Sequence, residues 1–230
     1  MSRGQLTRTL SISLASLLLV ALALMIPIIH GSPQSYVFVK SAVDFDGDGV
    51  DDYTDIMLGA RADALRLPEY DDSYYVGGYP PESIGVCADV IWRAFRDAGY
   101  SLRDMVDLDI KNSPISYSSI DRPDSNIDFR RVTNLKVFFS RHCEILTCDV
   151  TDTASWQAGD IVVFGNNVHI GIISDKRNAN GIPYVIHNSG QLDREEDYLS
   201  DPDNEGVTGH YRFDASRIDP ALLIEWKMAG

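Results

Sequence analysis

The chain has 230 residues, 44% of them hydrophobic, so it can bury a sizeable core, and a single main domain of about 200 residues is the leading expectation. Its net charge of −14 comes without a basic patch, which excludes an electrostatic nucleic-acid footprint because nothing is present to neutralise phosphates. The acidic balance instead suits a protein that handles cations or acts on neutral or cationic material.

Residues 1–31 read separately from the rest. Arg3 and Arg8 precede an uncharged run from Leu10 to Ile29, the n-region and h-region of an export signal. A run of that length also suffices to span a bilayer, and if uncleaved it would be an anchor with its N-terminus inside. No cysteine follows the run, so a lipoprotein acceptor is excluded. Either way, residues 32–230 are expected outside the cytoplasm, secreted or at the cell surface, with any membrane contact made through the N-terminal segment. The organisation is then a signal or anchor at 1–31, an entry segment at 32–55 and a main domain at 56–230.

Tyr36 to Val39 reads as a short strand or packed entry segment. The stretch from Asp44 to Asp55 follows the calcium-loop template: Asp44, Asp46 and Asp48 at positions 1, 3 and 5, Gly49 at 6, and a carboxylate, Asp55, at 12. Val50 would offer its carbonyl and Asp52 a direct or water-bridged oxygen. Aspartate rather than glutamate at position 12 resembles the dockerin loops of cellulosomes. The competing reading is an acidic surface turn. A helix is expected to leave the loop with Ile56, Met57, Ala60, Ala64 and Leu67 on one face.

Residues 68–81 form a loop rich in Tyr, Gly and Pro, where Tyr75 and Tyr79 are candidate walls of a substrate cleft or outer caps of the core. A helix follows, with Val90, Ile91, Ala94, Phe95 and Ala98 on its buried stripe and Gly99 at its end. Cys87 lies in its first turn, where the dipole and the unpaired N–H groups favour a thiolate and can receive an oxyanion. Cys87 also continues the apolar stripe, so inert core packing is the rival reading. Residues 101–123 read as a polar connection, and Thr133 to Arg141 as a short helix with a threonine cap. The odd cysteine count suggests a Cys143–Cys148 bridge with Cys87 unpaired, or else three buried thiols.

From Trp156 onward the pattern turns to strands: Ile161–Phe164, Val168–Ser174, Tyr184–Asn188 and a last one around Gly209–Phe213, joined by tight turns. Helices followed by successive hairpins predict an α+β fold with an antiparallel sheet. His169 lies in an apolar strand beside Gly171, whose missing side chain leaves room for the imidazole, and His187 ends the adjoining strand. A helix-borne cysteine, a histidine base and a polar residue orienting that base form the papain-type arrangement. Asn188 and His210 are alternatives to His187 as the orienting residue. Arg130 and Arg131 can bind a substrate carboxylate as a fork, or pair with the many aspartates.

These segments resemble the NlpC-type cell-wall cysteine peptidases of the papain-like superfamily. That pattern has a cysteine opening a helix, a Gly-Asp turn before a strand, a His-Val-Gly-Ile strand and a strand ending in Ile-His-Ala. The counterparts are Cys87, Gly159-Asp160, His169-Ile170-Gly171-Ile172 and Ile186-His187-Asn188. More narrowly, Gly85 to Val90, Asn126 to Val132 and His187 to Gly190 resemble a bacterial family of unassigned activity within that superfamily. The resemblance spans about residues 55–213. It implies a papain-like fold with Cys87 as nucleophile, His169 as base and His187 as orienting residue, acting on cell-wall (peptidoglycan) peptides, with calcium structural and no cofactor for catalysis. Ala88-Asp89 stands where Ser-Gly follows the typical nucleophile, and the insertion before the sheet is long, so the substrate carries over less well than the fold. The alternatives are a thiol acyltransferase or esterase on the same fold, and a calcium-dependent binding module with an inert Cys87.

Overall fold

The computed structural model describes residue 36 and residues 38–227. The expected export segment at 1–31 lies outside them. Among the described residues, no helix is long and apolar enough to cross a membrane.

Four helices precede the main sheet. Helix α1 (Asp52–Arg66) buries Ile56, Met57, Ala60 and Ala64. It ends at Leu67, which is exposed and left-handed (φ 51°), so Leu67 closes the helix rather than extending its apolar face. Helix α2 (Cys87–Asp97) is the most buried of the four, with every residue from Cys87 to Phe95 inside. Its end is a Schellman turn: Gly99 (φ 83°) donates to Arg96 O at 2.9 Å and Tyr100 to Phe95 O at 2.8 Å. The two helices approach closely because α1 carries Gly59, where a Cβ would stand 2.7 Å from Asp97 Cβ and 3.0 Å from Ala94 Cα.

Helix α3 (Leu102–Asn112) corrects the expected polar connection. Leu102, Met105, Val106 and Ile110 form a buried stripe that the charges between them obscure in sequence. Helix α4 (Val132–His142) is present as expected, but its cap position is Arg131 and no side chain caps it.

The six-stranded antiparallel sheet has the order β3 (Glu144–Ile145), β8 (Val207–Arg212), β4 (Ile161–Phe164), β5 (His169–Arg177), β6 (Pro183–Ile186), β7 (Glu195–Glu196). A separate two-residue parallel pair joins β1 (Glu69–Tyr70) to β2 (Ile84–Gly85). The fold is α+β, as the sequence pattern predicts. One face of the sheet, with Ile161, Val163, Ile170, Ile172 and Ile186, joins the helices in the main core. The other, with Val162, Phe164, Ile173 and Val185, forms a smaller core under Trp156 and Leu199. Burial on both faces explains why β4 reads as a continuous apolar run. No strand forms at Tyr36, Phe38 or Val39; the Val39 amide instead donates to the Gln157 side chain at 3.0 Å. Residues from Tyr36 onward make one compact unit, so the acidic loop belongs with the main domain rather than apart from it.

Candidate active site

Cys87 opens α2 after the extended Val86, and the turn is held by Asp89, whose carboxylate accepts the Val86 amide at 2.8 Å. Cys87 as a residue is 5% exposed. Burial pushes it up to about 11, against the amides of Ile170 and Ala88, which favour its thiolate. Helix placement therefore does not yield a thiolate at neutral pH: desolvation outweighs the amides. The amide of Ile170, the residue after His169, brings the sulfur to the start of β5.

His169 and His187 meet across β5 and β6, with His169 Nε2 2.8 Å from His187 Nδ1 and ring planes 83° apart. Burial lowers His169 to about 4, and burial together with His169 lowers His187 to about 3. Both rings are thus neutral at pH 7. Their strand positions alternate with the residues facing the helices, so the rings belong to the sheet face of Phe164 and Val185. Among the described residues, Cys87 makes no hydrogen bond to either ring. Gly171 serves the pair differently from the sequence expectation. A Cβ there would meet Val185 Cγ1 at 2.5 Å and His187 Cβ at 3.2 Å, so the missing side chain admits His187 and Val185.

The other candidates for the orienting role are engaged elsewhere. Asn188 is buried and donates to Gly85 O at 2.9 Å, tying the end of β6 to the segment before Cys87. His210 stacks on Trp156 at 3.8 Å and bonds Asp160 at 2.9 Å, in a buried cluster with Arg212.

The expected substrate contacts need correction. Arg130 is no open fork: it is bound doubly to Asp89, at 2.7 and 2.9 Å, with both side chains buried. Tyr75 lies under that guanidinium. Tyr79 packs among Trp92, Phe129 and Trp226 and lines a 620 Å³ cleft whose walls include none of Cys87, His169 and His187. Arg131 is exposed and lines another cleft, of 710 Å³, with Asp121 and Arg122. The aromatic rings that stand against the histidine pair are Phe164, 6.0 Å from His169, and Tyr198. Tyr198 stands 4.4 Å from the His187 ring and 5.5 Å from His169. Glu196 also escaped the sequence reading, although its Oε1 lies 3.1 Å from His187 Nε2 and accepts from the Gln191 amide at 3.1 Å. Its only trace in sequence is the acidic run before Tyr198.

In the acidic loop, carboxylate oxygens of Asp44, Asp46 and Asp48 lie within 4.8 Å of one another. Gly47 (φ 75°) and Gly49 (φ 97°) make the turn, both amides donating to Asp44. The Val50 amide donates to Asp48 at 2.8 Å. Burial, with Asp48 and Asp46 close behind, raises Asp55 to about 7. Asp52 departs from the template: it is fully buried, accepting from Tyr100 Oη at 2.7 Å and the Phe45 amide at 2.9 Å. It fastens the loop to the core and is not turned to a cation. The three cysteines are free thiols, so the expected Cys143–Cys148 bridge is absent, with Cys148 exposed and Cys143 half-buried.

Residues 57–213 match the profile of the family described as Domain of unknown function (DUF1287). The chain is 39% identical to "Uncharacterized protein YijF" of Escherichia coli (strain K12) over 168 residues, 69% of this chain and 80% of that protein. No solved structure matches.

Proposed function

We infer, for a chain that belongs to the DUF1287 family, an extracytoplasmic cysteine amidase or peptidase of papain-like, NlpC-type architecture, acting on peptides of the cell wall. The observations that carry this reading are the 2.8 Å His169–His187 bond and the Ile170 amide, next in chain to His169, that meets the sulfur of a cysteine opening a buried helix. With the thiol and both rings neutral, His169 takes the thiol proton as the sulfur attacks the carbonyl, and later returns it to the leaving amine. The amides of Cys87 and Ala88, which meet the sulfur at the first turn of α2, receive the oxyanion. His187 steadies the imidazolium that forms. The same acyl-enzyme can be intercepted by other acceptors, which makes acyl transfer a variant of the same chemistry.

Burial of the Cys87 thiol favours a second reading, a calcium-dependent binding module in which Cys87 is inert. Asp44, Asp46, Asp48 and Asp55 would hold the calcium in either case, in a structural role, with the Val50 carbonyl completing the set. Incubating the protein with purified muropeptides and weighing the products by mass spectrometry separates the two. Cleavage that disappears in Cys87→Ala is expected. Intact muropeptides together with a Cys87 that iodoacetamide does not modify would leave the binding module.

A further inference from the structure

We propose that Asn188 is a positioning residue that docks the segment leading into Cys87 onto the end of β6, beside the histidine pair. The proposal rests on Cys87 and His169 being nucleophile and base, and names the group that holds the helix of one against the strands of the other.

The segment from Ile84 to Val86 is bound to its own helix on one side. Arg93 of α2 donates to Ile84 O at 2.7 Å, and Asp89 accepts the Val86 amide at 2.8 Å. Gly85 has no room for a side chain there: a Cβ would stand 2.9 Å from Arg93 Nη1 and 3.1 Å from Asp89 Cβ. Segment and helix are therefore one body, and what fixes that body to the sheet fixes Cys87.

On the sheet side, β5 and β6 pair Ile172 with Ile186, so the register continued would set Gly171 opposite His187 and Ile170 opposite Asn188. The ladder ends at Ile186, before either pair forms. The Ile170 amide meets the Cys87 sulfur instead. Asn188 turns its side chain to the same segment, Nδ2 donating to Gly85 O at 2.9 Å, while Oδ1 accepts the Gly190 amide at 3.0 Å. Flipping the amide would set oxygen against oxygen and N–H against N–H, so its orientation is fixed. Asn188 is 1% exposed and its bond to Gly85 is buried, so water does not stand in for it.

The connection that carries Asn188 is closed by further hydrogen bonds. The His187 amide donates to Arg194 O at 2.9 Å, and the buried Arg194 donates to Gln191 Oε1 at 2.9 Å and to Pro68 O at 3.0 Å. Pro68 and Gly85 bound the loop that precedes Cys87, so residues 188–194 hold that loop at both ends. Asn188 holds the end next to the nucleophile, and it follows His187 directly.

The test uses the full chain with Asn188→Ala, and with Asn188→Asp, which keeps the shape and the Gly190 bond but, ionised at pH 8, offers Gly85 no donor. Muropeptide turnover is read beside iodoacetamide modification of each cysteine, resolved by mass spectrometry. Both variants should lose at least about tenfold in kcat with KM unchanged, because Asn188 is buried and binds only backbone. Cys87 modification should rise at least about tenfold at pH 8, its midpoint moving down from about 11 toward the ordinary 9 as water reaches the thiol. Cys143, whose thiol burial also pushes up, should stay protected, whereas a merely structural loss would expose it together with Cys87. Asn188→Asp decides where Asn188→Ala fails to fold. Undiminished turnover, or a native modification rate at Cys87, in a folded variant overturns the proposal. So does modification of Cys143 alongside Cys87 in both variants. A Cys87 midpoint that follows Asn188 in a protein without muropeptide turnover upholds the docking role and refutes the catalytic reading alone.

Discussion

Arg130 and Asp89 meet in a doubly bonded ion pair from which water is excluded, Nε to Oδ1 at 2.7 Å and Nη2 to Oδ2 at 2.9 Å. The same carboxylate accepts the indole N–H of Trp92 at 2.7 Å and the amide of Val86 at 2.8 Å. The pair therefore fastens the first turn of α2 to the segment before α4, two residues from Cys87. Arg130→Met would leave a buried carboxylate without its counter-charge, at a cost of about 3–5 kcal/mol. Arg130→Lys should rescue it only in part, because an ammonium cannot reproduce the planar fork. Urea unfolding midpoints measure both. A fully stable Arg130→Met protein would return the arginine to the list of candidate ligand contacts.

The catalytic assignment has its own signature. Cys87→Ala and His169→Ala should each abolish muropeptide turnover, since the two act as one chemical unit. His187→Ala should be milder, on the order of tens- to hundreds-fold, because it orients and steadies the base without taking the proton. Rates are to be read beside far-UV circular dichroism, so that loss of fold is not counted as loss of chemistry. Wild-type turnover in a folded Cys87→Ala protein would remove the cysteine from the mechanism.

The buried imidazoles also make stability depend on pH. Both have folded values below the ordinary 6.5, about 4 for His169 and about 3 for His187. Below pH 6.5 the unfolded chain takes up protons that the folded rings refuse, so stability that is complete above 6.5 is lost as pH falls toward those values. The slope is at most about 1.4 kcal/mol per pH unit for each ring. His187→Asn should remove the share of one ring and flatten the fall in denaturation midpoint between pH 6.5 and 4. An unchanged slope would mean that the ring is protonated in the folded protein.

The acidic loop has the opposite sign. The carboxyl of Asp55, raised to about 7 from an ordinary 3.8, contributes stability that is complete below 3.8 and lost as pH rises through 7. Calcium would remove that cost. Millimolar calcium should therefore raise the melting temperature more at pH 8 than at pH 5.5, and binding near pH 7 should release protons. At a hundredfold excess over Kd the gain is about 2.7 kcal/mol. Asp44→Ala combined with Asp48→Ala should erase it. Titration calorimetry with no uptake at millimolar calcium would identify the loop as an acidic turn.

Helices α1, α2 and α4, strands β4, β5, β6 and β8, and the three residues proposed to carry the chemistry were legible in the sequence. The spacing of Val90, Ile91, Ala94 and Phe95 marks α2, and the apolar runs around Ile161 and Ile170 mark the central strands, because these elements bury whole stripes or both faces. Helix α3 was hidden because its apolar stripe is narrow and its exposed positions are charged, a pattern that composition alone reads as loop. What a charged or polar side chain does was decided only by tertiary structure, since its role depends on the partner that burial assigns to it. Arg130 is a structural cation because Asp89 waits inside the core. Asp52 leaves the acidic loop because Tyr100 donates to it, and Asn188 and His210 are spoken for by Gly85 and Asp160. Glu196 reaches His187 only through the pairing of β7 with β6, a register that no local spacing encodes. The same holds for the charge state of Cys87: the helix terminus is local and legible, whereas the desolvation that overrides it comes from the sheet packed against that helix.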